Sequence, residues 1–170
     1  MSNSLSPRYS IDTSSLIDGY RNVEIQVILE NLIRQNRLKA PPAVLRELEV
    51  GGDETFRWSK HWERLLIQEL TEASAVQLGP LVDKYGEPFR DSQDPGKIYR
   101  GLIKKGTASD ADPDVIALAL NHGWTVVTGE TSGIKGACKL ERIPCISLKK
   151  LIQREQWQIE QQIPLLGEEY

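Results

Sequence analysis

Cysteine occurs only twice in the chain, at Cys138 and Cys145, and histidine only twice, at His61 and His122. A disulfide framework has little to build on, a reducing cytosol is the natural setting, and the histidines are too few and too isolated for zinc. No apolar run approaches the roughly 18 residues of a membrane span. The opening "MSNSLSPRYS" lacks the basic and apolar blocks of a signal peptide. No Gly-x-Ser-x-Gly elbow offers a serine nucleophile. "TSGIKG" has glycines and a lysine without the spacing of a phosphate loop, and reads as a connector. These absences lead to the expectation of a cytoplasmic protein with no membrane association.

What is present suits one globular domain. A chain of 170 residues with 39% hydrophobic and 26% charged side chains can bury a core without staples. The net charge is -3, but it is unevenly spread. Residues 1 to 95 hold 11 basic and 15 acidic side chains. "GKIYRGLIKKG" has four bases and no acid, and the stretch from Thr131 to Arg154 has six bases against Glu141 alone. Local basic patches can hold a polyanion despite an acidic total, although a solvated face explains them on charge alone. The sixteen residues from 155 to 170 carry four acids and no base, and read as an acidic tail after a domain spanning 1–154.

Hydrophobic spacing gives a coarse order of elements. "RYSID" reads as a strand, followed by helical spacing through "VEIQVILENLIRQNRL" after a break near Tyr20. Pro41-Pro42 suits a helix entrance, and Gly51-Gly52 its exit. "ETFRWSKHWERLLIQELTEA" reads as one amphipathic helix, with Phe56, Trp62, Leu65, Leu66 and Leu70 facing inward. "SAVQLG" reads as a short strand, "GEPFRDSQDPGK" as a loop, and "DPDVIALALNHG" as a helix with Asp112 at its N-cap. "WTVVTG" and "IPCISL" are strands, separated by the small and basic loop "ETSGIKGACKLER", and a last helix begins at "KKLIQREQ". Strands alternating with helices imply a mainly parallel sheet between two helical layers, a three-layer α/β/α sandwich.

In such sheets, function gathers beyond the carboxyl ends of the strands. Asp12 ends the first strand, Glu130 follows "WTVVT", Asp112 and Asp110 lie at the start of the helix before that strand, and Glu47 lies on the helix after the prolines. If these acids converge, protonation or a cation must relieve their repulsion. An all-carboxylate set favours a hard ion, Mg²⁺ or Mn²⁺, which can assist phosphodiester hydrolysis. Each acid also has a bland reading: Asp12 and Asp112 as helix caps, Glu47 and Glu49 as surface charges, Glu130 as a loop acid.

The order "YSIDTSSLI", "VLRELEVGGDE", "ADPDVIALALNHGWTVVTGE" and "IPCISL" resembles the PIN-domain nucleases, in particular a branch near the VapC-type toxins of prokaryotic toxin–antitoxin pairs. The resemblance runs from about Tyr9 to Leu151. It implies a PIN-like fold and metal-dependent endoribonuclease activity producing a 5′ phosphate and a 3′ hydroxyl. By motif, it implies Asp12, Glu47, Asp112 and Glu130 as catalytic metal ligands for Mg²⁺ or Mn²⁺, Glu49 being the other register for the helix glutamate. Ser14, Thr128 and Asp110 would support them. Glu130 departs from the commoner Asp or Asn of the family. Lys104, Lys105, Lys135 and Lys139 are candidates to grip an RNA substrate. A cognate antitoxin and a homodimer are the further partners implied. Two other readings are a non-catalytic PIN-like module that binds RNA or protein, and a phosphoacceptor receiver domain, for which the acid pair and later lysine are not evident.

Overall fold

A computed structural model describes residues 6–103, 111–129 and 133–166. Four short parallel strands form its central sheet in the order β2-β1-β5-β6. They are β1 (Tyr9–Ile11), β2 (Leu38–Lys39), β5 (Thr125–Val127) and β6 (Cys145–Ile146). The register pairs Tyr9 with Leu38 on one side and with Thr125 on the other, and Val126 with Cys145. The chain leaves β1 toward β2 and returns later to β5 on the opposite flank. The order of strands therefore reverses between β1 and β5, and the crevice beyond their carboxyl ends is where such sheets place ligands.

Alternation along β1 shows how the sheet is covered. Neighbouring side chains point to opposite faces. Ser10 donates its hydroxyl to the Val115 carbonyl at 2.8 Å, in α7 (Ala111–His122). Tyr9 donates its hydroxyl to Glu155 Oε1 at 3.0 Å, in α9 (Leu148–Leu166). One helical layer thus lies on each face, and the expected three-layer architecture is present. All of β1 is buried, as a sheet covered on both sides requires. α7 is apolar around much of its circumference, with Val115, Ile116, Ala117, Leu118 and Ala119 inaccessible, because it sits between the sheet and other helices.

The first half follows the expected rhythm. α1 (Thr13–Arg21) and α2 (Val23–Arg34) meet at Asn22, whose side chain accepts the amides of Glu24 and Ile25. The buried face of α2 is Ile28, Leu29, Leu32 and Ile33, while Val23 and Val27 are exposed. α3 (Pro42–Gly51) ends at Gly52, whose φ of 62° suits a residue without Cβ.

Several elements differ from the expectation. The long helix from Glu54 is broken into α4 (Glu54–His61) and a single turn, α5 (Glu63–Leu66). Past Trp62 the chain turns so that Ala40 can bond Leu66 and Gln68 as a bridge beside the sheet. Leu65 consequently faces outward. "SAVQLG" is helical, inside α6 (Glu72–Tyr85), where Thr71 caps the Ser74 amide. Ser74, Leu78, Leu81 and Tyr85 form its inner stripe at helical spacing, which outweighs the β-prone look of six residues.

The loop after Gly86 contains an antiparallel hairpin, β3 (Phe89–Arg90) with β4 (Ile98–Tyr99). The connector after residue 132 is a helix, α8 (Gly133–Glu141). Its glycines disguise it, and both are needed: a Cβ on Gly136 would overlap the Tyr99 ring, and one on Gly133 the Arg100 carbonyl. Finally, α9 runs through residue 155 without interruption, so no element boundary separates 1–154 from the residues after it. Glu155 is buried against Arg37 and Tyr9 rather than displayed on a tail.

Candidate carboxylate site

Asp12 follows β1 directly, at the crevice where strand order reverses. Its backbone amide still bonds the Val127 carbonyl at 3.1 Å, so its position is set by the sheet. One carboxylate oxygen, Oδ1, accepts the Ser15 amide at 2.9 Å and caps α1. The other, Oδ2, accepts the Thr128 hydroxyl in a 2.5 Å bond from the end of β5. Only 4% of Asp12 is exposed.

Glu47, midway along α3, joins this strand tip to the second half of the chain. Its Oε2 accepts the hydroxyl of Thr13, the residue after Asp12, at 2.9 Å. Its Oε1 accepts the amide of Ala111, the residue before Asp112, at 2.9 Å. One carboxylate therefore touches one chain neighbour of each of the other two acids. Asp112, half-buried, lies within the first turn of α7 rather than ahead of it, so it is not the cap; the Ala111 amide is satisfied by Glu47 instead. An acid in that first turn is favoured by the helix dipole whatever else it does.

The donors to Asp12 and Glu47 are hydroxyls and amides. Among the described residues no lysine or arginine forms an ion pair with Asp12 or Glu47. Each carboxylate oxygen accepts one bond and retains a second lone pair. An oxygen-only set with undischarged negative charge suits a hard divalent ion rather than zinc. Among the described residues, however, no three Asp, Glu, His or Cys side chains are gathered as an ion-binding group. Glu130 and Asp110, expected to complete or support the set, lie outside the described residues.

The other expected positions separate clearly. Glu49 is exposed, and only Glu47 turns toward Asp12. Ser14 is exposed and takes no part in the bonds to Asp12; Ser15, by its amide, and Thr13, by its hydroxyl, occupy the roles near it. The run of three hydroxyl residues after Asp12 carried that signal, but only the fold says which one points inward. Thr128, just after β5, donates its hydroxyl to Asp12. Lys135 is exposed on α8 near Thr128, both lining one cavity. Lys139 is held elsewhere: its Nζ bonds Asp91, whose carboxylate also accepts the Tyr99 hydroxyl, so this lysine fastens the hairpin to α8. That bond holds the Asp91 carboxyl far below its ordinary range and raises the Lys139 ammonium. Lys104 and Lys105 lie outside the described residues.

Among the described residues no helix is long and apolar enough to cross a membrane. Two solved structures are similar over most of the chain. One is VapBC2 from Rickettsia felis bound to a DNA fragment from its promoter, with 18% identity and a TM-score of 0.48, covering 82% of this chain and 97% of that one. The other is FitAcB from Neisseria gonorrhoeae, with 17% identity and a TM-score of 0.49, covering 82% and 97%. No curated protein matches the sequence. A family model does, over residues 9–159, and the chain belongs to that family, described as "Domain of unknown function (DUF4411)".

Proposed function

We propose that the chain is a PIN-type, metal-dependent endoribonuclease, acting as the toxin of a toxin–antitoxin pair, with Asp12, Glu47 and Asp112 as its central acids. The observation that carries this reading is the Glu47 carboxylate, which links the residue after Asp12 to the residue before Asp112 at the sheet's reversal point. The resemblance of "YSIDTSSLI" and "ADPDVIALALNHGWTVVTGE" to PIN nucleases supports the same three positions.

Under this reading the chain's residues have distinct tasks. Thr128 and the Ser15 amide orient Asp12, and Thr13 and the Ala111 amide orient Glu47. Fixed orientation avoids reorganisation when charge develops at phosphorus. Mg²⁺ or Mn²⁺ held by Asp12, Glu47 and Asp112, with Glu130 as a further ligand, would supply Lewis-acid stabilisation and a more acidic water. Asp110 would sit in support, and Lys104, Lys105 and Lys135 would meet the RNA backbone. Lys139 is left out of that group because Asp91 already holds it. An antitoxin and a second copy of the chain are the proposed protein partners.

A second reading has its own observation. Asp12 caps α1, Glu47 satisfies the first amide of α7, and no three described acids gather into an ion site. A PIN-like module that binds RNA or protein without cutting it would look the same at these positions. The two readings part on one experiment: labelled RNA incubated with wild type and with Asp12→Asn in Mg²⁺, Mn²⁺ or chelator. The nuclease reading expects cleavage that chelator stops and Asp12→Asn abolishes. Cleavage that persists in chelator, or no cleavage by wild type with any divalent ion, contradicts it.

A further inference from the structure

A cavity of about 390 Å³ opens beside the carboxylate site, and the two share Thr128. Thr128 aims its hydroxyl at Asp12 and also lines this cavity, with Lys135, Cys145, Ser147, Lys150 and Arg154. The cavity thus sits at the carboxyl ends of β5 and β6, next along the sheet from Asp12. Among the described residues its lining holds three cations and no carboxylate. Lys150 and Arg154 are four residues apart on α9, so they rise from one face of that helix. Neither forms an ion pair with a described residue. Ser147 precedes α9, and its hydroxyl accepts the Lys150 amide at 3.2 Å, so the positive end of the helix dipole also faces this region.

Cys145, in the same lining, has its thiol drawn below its ordinary value chiefly by the hydrogen bond with Cys138; burial opposes this, Lys135 lowers it further and Asp12 acts in the opposite sense.

We infer that the cavity lined by Lys135, Lys150 and Arg154 binds a backbone phosphate of single-stranded RNA, one beside the phosphate presented to the acids. The assignment rests on the nuclease reading for its position relative to the cut, but the cavity's chemistry stands on its own geometry. A polyanion approaching Asp12, Glu47 and Asp112 meets repulsion from their charge. Cations one strand away offset it and fix which phosphate lies over the acids. Lys149, exposed on α9 but outside the lining, has no such task.

The test measures binding of a single-stranded RNA oligonucleotide in chelator, across a salt series, for wild type, Lys150→Gln/Arg154→Gln and Lys149→Gln. Counterion release predicts a slope of log affinity against log salt shallower by about 0.7 for each phosphate no longer neutralised. The expected result is a slope shallower by about 0.7 in the double variant, an affinity loss on the order of tenfold at low salt, and no change for Lys149→Gln. Thermal melting establishes that the variants are folded. An unchanged slope in the folded double variant overturns the assignment. Inorganic phosphate binding that disappears in the double variant while the RNA slope stays the same also overturns it, in favour of a small-anion site. The nuclease reading fails separately: a protein that never cuts RNA, yet whose slope falls as stated, retains the phosphate site and loses the catalytic one.

Discussion

Asp12 and Glu155 are almost equally buried, at 4% and 5% exposed, and the protein treats their charges in opposite ways. Glu155 receives two bonds from the Arg37 guanidinium, at 3.0 and 2.7 Å, and a third from the Tyr9 hydroxyl. Its charge is matched by a fork of the right shape. Among the described residues Asp12 receives one amide and one hydroxyl and no cation. The first acid ties α9 to the strand layer through a charge pair, and the second sits at the reversal point of the parallel sheet, held by neutral donors alone among the described residues. Lys139 and Asp91 follow the first pattern: a charge pair ties a hairpin to a helix.

The contrast can be broken by stability measurements. Arg37→Ala leaves Glu155 buried without its partner and should cost about 3–5 kcal/mol in urea unfolding. Asp12→Asn keeps an acceptor for the Ser15 amide and gives up the one facing the Thr128 hydroxyl, so it should cost less than Arg37→Ala, about 1–2 kcal/mol. Equal losses in the two variants would mean that Asp12 is as structural as Glu155.

A smaller effect sharpens the catalytic side. Thr128→Val removes the hydroxyl bonded to Asp12 but keeps the shape of the strand end. A hydrogen bond to a charged group is worth about 1.5–3 kcal/mol, so single-turnover RNA cleavage should slow by about tenfold to a hundredfold. An unaltered rate would remove Thr128 from the site.

Two titratable contacts probe the structural side, one by pH and one by substitution. Burial, then the charge of Glu155, pushes the Tyr9 hydroxyl up to about 12. A proton held more tightly in the folded state stabilises it fully below the ordinary tyrosine value and less as pH rises through the folded one. Unfolding free energy should therefore decline between about pH 10 and 12 in wild type, and decline less in Tyr9→Phe. The same slope in both proteins would count against the Tyr9–Glu155 bond. The Asp91 carboxyl lies below its ordinary range because of the Lys139 bond, so the hairpin tether should persist as pH falls past the usual carboxylate value and loosen only below it. Faster amide exchange of residues 89–99 in Asp91→Asn at neutral pH, with other exchange unaffected, is the expected signature.

Asp12 and Asp112 were legible in the sequence because each falls at a punctuation mark, a strand end or a helix start. Glu47 needed the resemblance, since a helix interior offers two glutamates two residues apart and no local feature separates them. Thr13 was hidden because its partner lies 34 positions away. The Arg37–Glu155 pair spans 118 positions, and an acid followed by three more in the next fourteen residues looked like a tail. α8 was hidden by glycines that serve close packing against Tyr99 and Arg100, where local propensity gives way to tertiary contact. The layered architecture was readable because it depends on the order of apolar segments, whereas the partners of individual polar atoms depend on the finished fold.

The central claim is that Asp12, Glu47 and Asp112 act on one divalent ion. Titration of Mn²⁺ into wild type, Asp12→Asn and Glu47→Gln, followed by its paramagnetic resonance signal, tests it without any RNA. One saturable site in wild type, weakened about tenfold to a hundredfold in each folded variant, is the predicted result. Mn²⁺ that binds all three proteins alike, or binds none of them, contradicts it.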